Sequence, residues 1–204
     1  MSKTLIIFSR YPEPGKTKTR MIPALGAAGA AELQRGMTEH TLKTAIALSA
    51  SVQVETEVHF AGGNLELMQQ WLGQDVVHVP QTGGDLGAKM CSAFARAFAS
   101  GSQQVVIIGI DCPDIDCQIL TQAFESLEAG DLVLGVAEDG GYYLIGLNRP
   151  IEALFEGVSW GTEQVLNQTQ AIAERLQLKI DYLTPLADVD RPEDLRIWQK
   201  YAQP

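Results

Sequence analysis

The stretch that decides the fold runs from Val105 to Asp116 and reads VVIIGIDCPDID. Val105, Val106, Ile107 and Ile108 form an unbroken β-branched run, followed by Gly109, Ile110 and Asp111. A short segment that is apolar on both faces suits the centre of a parallel sheet covered by helices on either side. Pro113 lacks an N–H and cannot continue a ladder, so the strand stops at Asp111-Cys112. A carboxylate is thereby placed at the carboxyl end of a buried strand, the edge at which open α/β sheets bind ligands. An isolated aspartate in such a place would ordinarily do no more than cap the next helix. The flanking segments point to a further role.

Upstream, Thr4 to Ser9 (TLIIFS) has the composition of a first buried strand, and it leads directly into RYPEPGKTKTR, residues 10–20. Two prolines and Gly15 bar regular structure there. Arg10, Lys16, Lys18 and Arg20 concentrate positive charge in a chain that is otherwise acidic. A basic, glycine-containing loop after the opening strand is a candidate phosphate cradle. It is not a P-loop, because no glycine stands five residues before Gly15-Lys16-Thr17. The periodicity then predicts a long amphipathic helix over 29–51, a strand over 52–60, a short helix around 65–72 and a strand over 76–79. His40 and His78 are packing residues on this reading.

Residues 81–101 read QTGGDLGAKMCSAFARAFASG. Gly83 and Gly84 turn the chain, Asp85 is placed as the N-cap, and a helix follows from Leu86 to Ala99. A glycine turn into a helix N-terminus lets backbone amides approach an anion closely, and Lys89 stands one turn in.

Downstream of Asp111, residues 117–128 form a helix and 131–136 a strand. Asp139-Gly140-Gly141 is a turn between apolar runs, and Tyr142–Leu147 returns as a strand. One strand of a mostly parallel sheet is therefore reversed. Adjacent Tyr142 and Tyr143 face opposite ways, one into the core and one toward the cleft. A loop carrying Trp160 precedes a helix over 163–176 with Thr162 as its N-cap, and a last strand covers 179–183. The tail places Asp188 and Asp190 before a helix that begins near Pro192, where Asp190 and Glu193 form a capping-box-like pair.

Composition bounds what such a chain can do. Its 204 residues suit one domain over 1–204, large enough to bury roughly 70% of the unfolded surface. Fifteen basic against twenty-five acidic residues give a formal net charge of −10, which argues against nucleic-acid and anionic-membrane partners. A nucleotide is still accommodated by a local basic loop and a metal. Three cysteines, Cys91, Cys112 and Cys117, form neither a disulfide framework nor a metal pattern, so the expectation is a cytoplasmic protein with reduced thiols. The opening MSKTLIIFS is too short an apolar run for a signal peptide or a membrane span.

Taken together, PGKTKTR, QTGGDLGAKM, IGIDCPDI, EDGGYYLIGL, SWGT and DVDRPEDL resemble the small bacterial arsenosugar-biosynthesis-type glycosyltransferases, also called radical-SAM/selenodomain-associated transferases. That group lies in the nucleotide-diphospho-sugar transferase superfamily. The resemblance implies a GT-A-like, Rossmann-like three-layer α/β sandwich in one domain. It also implies Mg²⁺ or Mn²⁺ held by Asp111, Asp188 and Asp190, with Asp111 and Asp190 catalytic. The chain departs from the pattern at Lys89, Gly161 and Arg191, where arginine, serine and threonine are common, and Pro113 replaces the second aspartate of a D-x-D motif.

The candidate site is then Asp111, Asp190 and Asp139 for chemistry, with Asp139 a candidate base. Arg10, Gly15, Lys16, Lys18, Arg20, Gly83, Gly84 and Lys89 are assigned to phosphate and nucleotide. Gly140, Gly141, Tyr142, Trp160 and Thr162 are assigned to substrate. Glycosyl transfer from a nucleotide sugar to a small acceptor is the expected reaction. Nucleotidyl transfer from a triphosphate is the alternative that the basic loop favours, and nucleotide binding without catalysis is a third.

Overall fold

The computed structural model describes residues 2–201. Seven strands form one sheet: β1 (Lys3–Arg10), β2 (Val54–Ala61), β3 (Val77–Pro80), β4 (Gln104–Ile108), β5 (Leu132–Ala137), β6 (Tyr142–Leu147) and β7 (Ile180–Leu186). Their order across the sheet is β3-β2-β1-β4-β6-β5-β7. β6 runs antiparallel to both β4 and β5, and every other pairing is parallel. This is the α/β architecture with one reversed strand that the VVII run and the Asp139-Gly140-Gly141 turn predict.

All five residues of β4 are buried. Val106 and Ile108 face the core that also holds Leu5, Ile7, Met37 and Phe124. Val105 and Ile107 face the opposite core with Ile6, Phe94 and Leu134. Each such side chain contributes about 1.5–3 kcal/mol by leaving water, so the two faces together fix β4 at the centre. Helices α1 (Ile22–Ser51) and α4 (Cys117–Ser126) cover the first core, while α3 (Leu86–Ala99) and α5 (Val165–Arg175) cover the second. The short α2 (Leu65–Leu72) starts at an Asn64 cap, whose side chain accepts from Leu67 N at 2.9 Å.

Some element boundaries differ from those predicted. Helix α1 begins at Ile22, not 29, and is kinked at Gly26, where φ is +70° and ψ 169°. Pro23 sits in the first turn, where its missing N–H costs no hydrogen bond, so the segment coils earlier than its Gly/Ala-rich sequence suggests. Strand β7 extends to Leu186, because Glu138 N donates to its carbonyl at 3.1 Å and carries the ladder onward. Helix α5 begins at Val165, and Thr162 Oγ1 accepts only from Gln164 N, at 3.3 Å. At the C-terminal end a 3₁₀ turn, Pro192–Asp194, precedes α6 (Leu195–Trp198).

No helix of the described residues is long and apolar enough to cross a membrane. Every parallel strand ends on the same edge of the sheet. Arg10, Asp111, the 137–141 turn and residues 188–190 therefore meet there from distant parts of the chain.

Candidate active site

A cleft of about 1270 Å³ opens along that edge. Asp111 enters it from the end of β4, but it does not cap α4. That role falls to Asp116, whose Oδ1 accepts from Ile119 N at 2.8 Å. The segment after β7 is stitched to the end of β4, since Val189 N donates to the Asp111 carbonyl at 2.8 Å. Asp188 and Asp190 are thus carried to the two sides of one bond that ends beside Asp111, and both line the cleft.

Asp190 does not act as the predicted capping residue. Asp194 takes that part instead, its Oδ2 accepting from Asp190 N at 3.2 Å and Arg191 N at 2.8 Å. The Asp190 side chain is left free and forms an ion pair with Arg20. Asp139 enters from the β5–β6 turn, with Oδ1 accepting from Gly141 N at 2.9 Å. Gly140 holds this turn in the left-handed region, φ +89°, and a Cβ there would lie 2.7 Å from the Glu163 carbonyl oxygen. The turn is in this way seated on the start of α5.

Four carboxylates therefore gather in one place, and their electrostatics show it. The Asp188 carboxyl is pushed above its usual range by burial first, and then by Asp139, Asp190 and Asp111. The neighbouring Cys112 thiol is driven up by burial and by the charges of Asp111, Asp188 and Asp139, so it is an inert packing thiol. Among the described residues, no group of three or more His, Cys, Asp or Glu is drawn tightly enough to form a finished metal cage. The donors are nevertheless hard oxygens, and of the four carboxylates only Asp111 and Asp190 form an ion pair among the described residues, which is chemistry that suits Mg²⁺ or Mn²⁺.

The basic loop divides into separate fates. Arg10 lines the cleft. Lys16 turns outward, where it is 66% exposed and pairs with Glu13 at 2.7 Å, so it and Gly15 lie outside the cleft lining. Lys18 turns inward, with Nζ donating to Asp111 Oδ1 at 2.7 Å and to the Val189 carbonyl. Arg20 lines the cleft on Asp190, and this partner raises its guanidinium further above its ordinary value.

On the opposite wall, Asp85 caps α3 through Ala88 N at 2.8 Å, and Gly84 and Lys89 line the cleft. Gly83 does not line it; its φ is +120°, and a Cβ there would lie 2.8 Å from the backbone of Ala88. Trp160 closes the end of the cleft. Its indole lies across the first turn of α3 so closely that a Cβ on Gly87 would come within 2.3 Å of Nε1. The same ring stacks on Phe155 and meets Tyr142 edge-on.

Tyr142 and Tyr143 both reach the cleft lining. The Tyr143 hydroxyl donates to the Thr184 carbonyl at 2.9 Å, and burial raises both phenols. Gly141 and Thr162 line the cleft, and Gly140 lies behind it. Residues that the sequence did not single out also line it: Ser9, Gln34, Gln81, Glu138, Arg191 and Asp194. Gln81, Glu138, Arg191 and Asp194 had a legible signal, their places in the QTGGDLGAKM, EDGGYYLIGL and DVDRPEDL motifs, whereas Ser9 and Gln34 had none.

The fold and this edge-on site define an α/β protein of the nucleotide-diphospho-sugar transferase-like kind. The chain belongs to the family described as "Uncharacterized protein conserved in bacteria (DUF2064)", whose profile matches residues 41–162. It is 33% identical to a Desulfovibrio desulfuricans G20 protein named for the nucleotide-diphospho-sugar transferases, with a TM-score of 0.90 over 97% of this chain and 87% of that one. Two more distant structures share the fold. One is 4-diphosphocytidyl-2C-methyl-D-erythritol synthase from Anaerococcus prevotii, with 11% identity, TM-score 0.66, and 98% and 95% of the two chains covered. The other is Rv0371c from Mycobacterium tuberculosis in complex with manganese, with 14% identity, TM-score 0.56, and 99% and 100% covered. No curated protein matches this chain.

Proposed function

We propose that this chain is a metal-dependent transferase that moves a glycosyl group from a nucleotide sugar to a small acceptor. The observation that carries the reading is the meeting of Asp111, Asp139, Asp188 and Asp190 in one cleft with Arg10, Arg20 and Lys89. Asp111, Asp188 and Asp190 would hold Mg²⁺ or Mn²⁺, which supplies charge neutralisation at a departing diphosphate. Arg10, Lys89 and the amides at the start of α3 bind the phosphates and orient the nucleotide.

The acceptor hydroxyl attacks the anomeric carbon while the bond to the diphosphate oxygen breaks, its electron pair leaving with the phosphate. The hydroxyl proton passes to the Asp139 carboxylate. Gly140 and Gly141 set that carboxylate in place, and Tyr142, Trp160 and Thr162 form the wall that shields the sugar from water.

The loop's cations favour glycosyl over nucleotidyl transfer. A triphosphate cradle built on Lys16, Lys18 and Arg20 loses Lys16 to Glu13 on the surface, and Lys18 lies outside the cleft lining, which leaves Arg20 alone of the three facing the cleft. The arsenosugar-type assignment, which rests on the motif resemblance, is the narrower form of this reading. The test is product analysis with Mn²⁺ present. Release of nucleoside diphosphate from a nucleotide sugar is expected. Release of pyrophosphate from a triphosphate and a sugar phosphate would replace glycosyl with nucleotidyl transfer, and tight binding with no turnover of either would leave a nucleotide-binding protein.

A further inference from the structure

Lys18 is an unusual lysine. Its side chain is only 5% exposed, and its backbone is left-handed at φ 45° and ψ 45°, a region that a side-chain-bearing residue keeps only where its surroundings hold it. What holds it is Asp111 Oδ1 and the Val189 carbonyl. Two residues on, Arg20 pairs with Asp190. A single loop therefore supplies a resident cation to two of the three carboxylates that the site would offer to a metal. Asp188, between them in the fold, has no Lys, Arg or His within ion-pair distance among the described residues.

The arrangement is charge-balanced at Asp111 and Asp190: the Lys18 ammonium holds Asp111 Oδ1 and the Arg20 guanidinium holds Asp190 Oδ2, so a metal at these two oxygens must displace both cations. Asp111, half exposed, and Arg20 line the cleft, while Lys18 lies behind Asp111 and outside the lining, so a ligand in the cleft meets Arg20 first and Lys18 through Asp111. A diphosphate carries more negative charge than either carboxylate and competes for both cations.

We propose that Lys18 and Arg20 form an exchange latch: a nucleoside diphosphate draws the two cations off Asp111 and Asp190, and the freed carboxylates take the divalent ion in the same event. The proposal rests on the nucleotide reading of the cleft. Metal and nucleotide are then positively coupled, and by linkage each raises the affinity for the other by the same factor.

The experiment titrates the full chain with Mn²⁺, reading free Mn²⁺ by electron paramagnetic resonance, alone and with UDP, GDP or CDP in turn, corrected for the Mn²⁺–diphosphate complex. In the wild type, one diphosphate raises Mn²⁺ affinity at least tenfold. Lys18→Met binds Mn²⁺ alone more tightly than the wild type and shows less than threefold coupling, whereas Lys18→Arg keeps the coupling. Should Lys18→Met fail to give a cooperative melt, Arg20→Gln, an exposed change, shows the same direction at smaller size. Equal Mn²⁺ affinity with and without every diphosphate in the wild type, or weaker Mn²⁺ binding in Lys18→Met, overturns the latch. Tighter Mn²⁺ binding in Lys18→Met with no response to any diphosphate would keep the carboxylate–cation exchange and overturn the nucleotide reading instead.

Discussion

Two groups of charged side chains sit on the same sheet and are built on opposite principles. On β2, Glu57 is buried and fully partnered: Arg96 Nη1 donates to its two oxygens at 2.9 and 2.7 Å, and His59 Nε2 lies 2.7 Å from Oε2. Burial pushes the Glu57 carboxyl up, but His59 and Arg96 outweigh it and hold it below its usual range. At the carboxyl edge, four aspartates share Lys18 and Arg20, and Asp188 is held above its usual range. A satisfied buried charge stabilises a fold. An excess of like charge facing a cleft is kept only where a ligand completes it.

The comparison is broken most severely at Glu57. Arg96→Ala leaves the buried Glu57 carboxylate with only His59 beside it and is expected to cost about 3 kcal/mol or more in chemical denaturation, because the charge left behind is the buried half of the pair. Nucleotide binding to the surviving folded fraction is unchanged. A loss under 1 kcal/mol would show the pair to be dispensable.

Asp111→Asn comes next. It keeps the fold, since the Asp111 carbonyl still accepts from Val189 N, and removes the stabilisation by metal and nucleotide together, about 2.7 kcal/mol at a hundredfold excess over Kd. Thermal shifts with Mn²⁺ and nucleotide check it, and an undiminished shift would remove Asp111 from the site.

The two clusters also respond oppositely to pH. Asp188 has a folded pKa above its unfolded one, so its protonated form favours the fold, and that contribution is lost as pH rises from the unfolded pKa through the raised folded value. Glu57 has a folded pKa below its unfolded one, so its contribution is present above the unfolded value and lost as pH falls through the folded value. Asp188→Asn is therefore expected to stabilise the ligand-free protein near neutral pH by a fraction of a kcal/mol, on the order of a partly exposed charge contact. It also flattens the decline of stability above the usual carboxylate range. An unchanged pH profile of denaturation would show that Asp188 carries no excess charge.

The smallest effect is expected at Lys16, whose exposed pair with Glu13 is worth roughly 0–1 kcal/mol. Lys16→Ala should change neither stability nor nucleotide affinity measurably in a calorimeter. A clear loss of affinity would return Lys16 to the phosphate site.

The fold was legible because its signals are local. The β-branched run at 105–108, the Asp85 cap and the Asp139-Gly140-Gly141 turn each need only neighbours to act. The placement of Asp111 just past a central strand was equally readable, although β4 ends at Ile108 and not at Asp111-Cys112, so Pro113 is not what stops it. The fate of the basic loop was not. Lys16, Lys18 and Arg20 look alike in sequence, and what separates them is Glu13 nearby, Asp111 ninety-three positions away and Asp190 one hundred and seventy away. The capping by Asp194 and not by Asp190 was hidden for a local reason: Glu193 and Asp194 both stand within reach of the turn, and it is Asp194 Oδ2 that accepts from Asp190 N and Arg191 N. Trp160 could be read as a lid or as a core plug. The contact with Gly87 shows that it packs on α3 while still facing the cleft.

Calorimetric titration of the wild-type chain with nucleotide sugars and nucleoside triphosphates, each with and without Mn²⁺, decides whether the carboxylate edge is a metal-dependent nucleotide site. A nucleotide sugar is expected to bind at one site only when Mn²⁺ is present. Binding of the same ligand with equal affinity after the metal is chelated would contradict that reading.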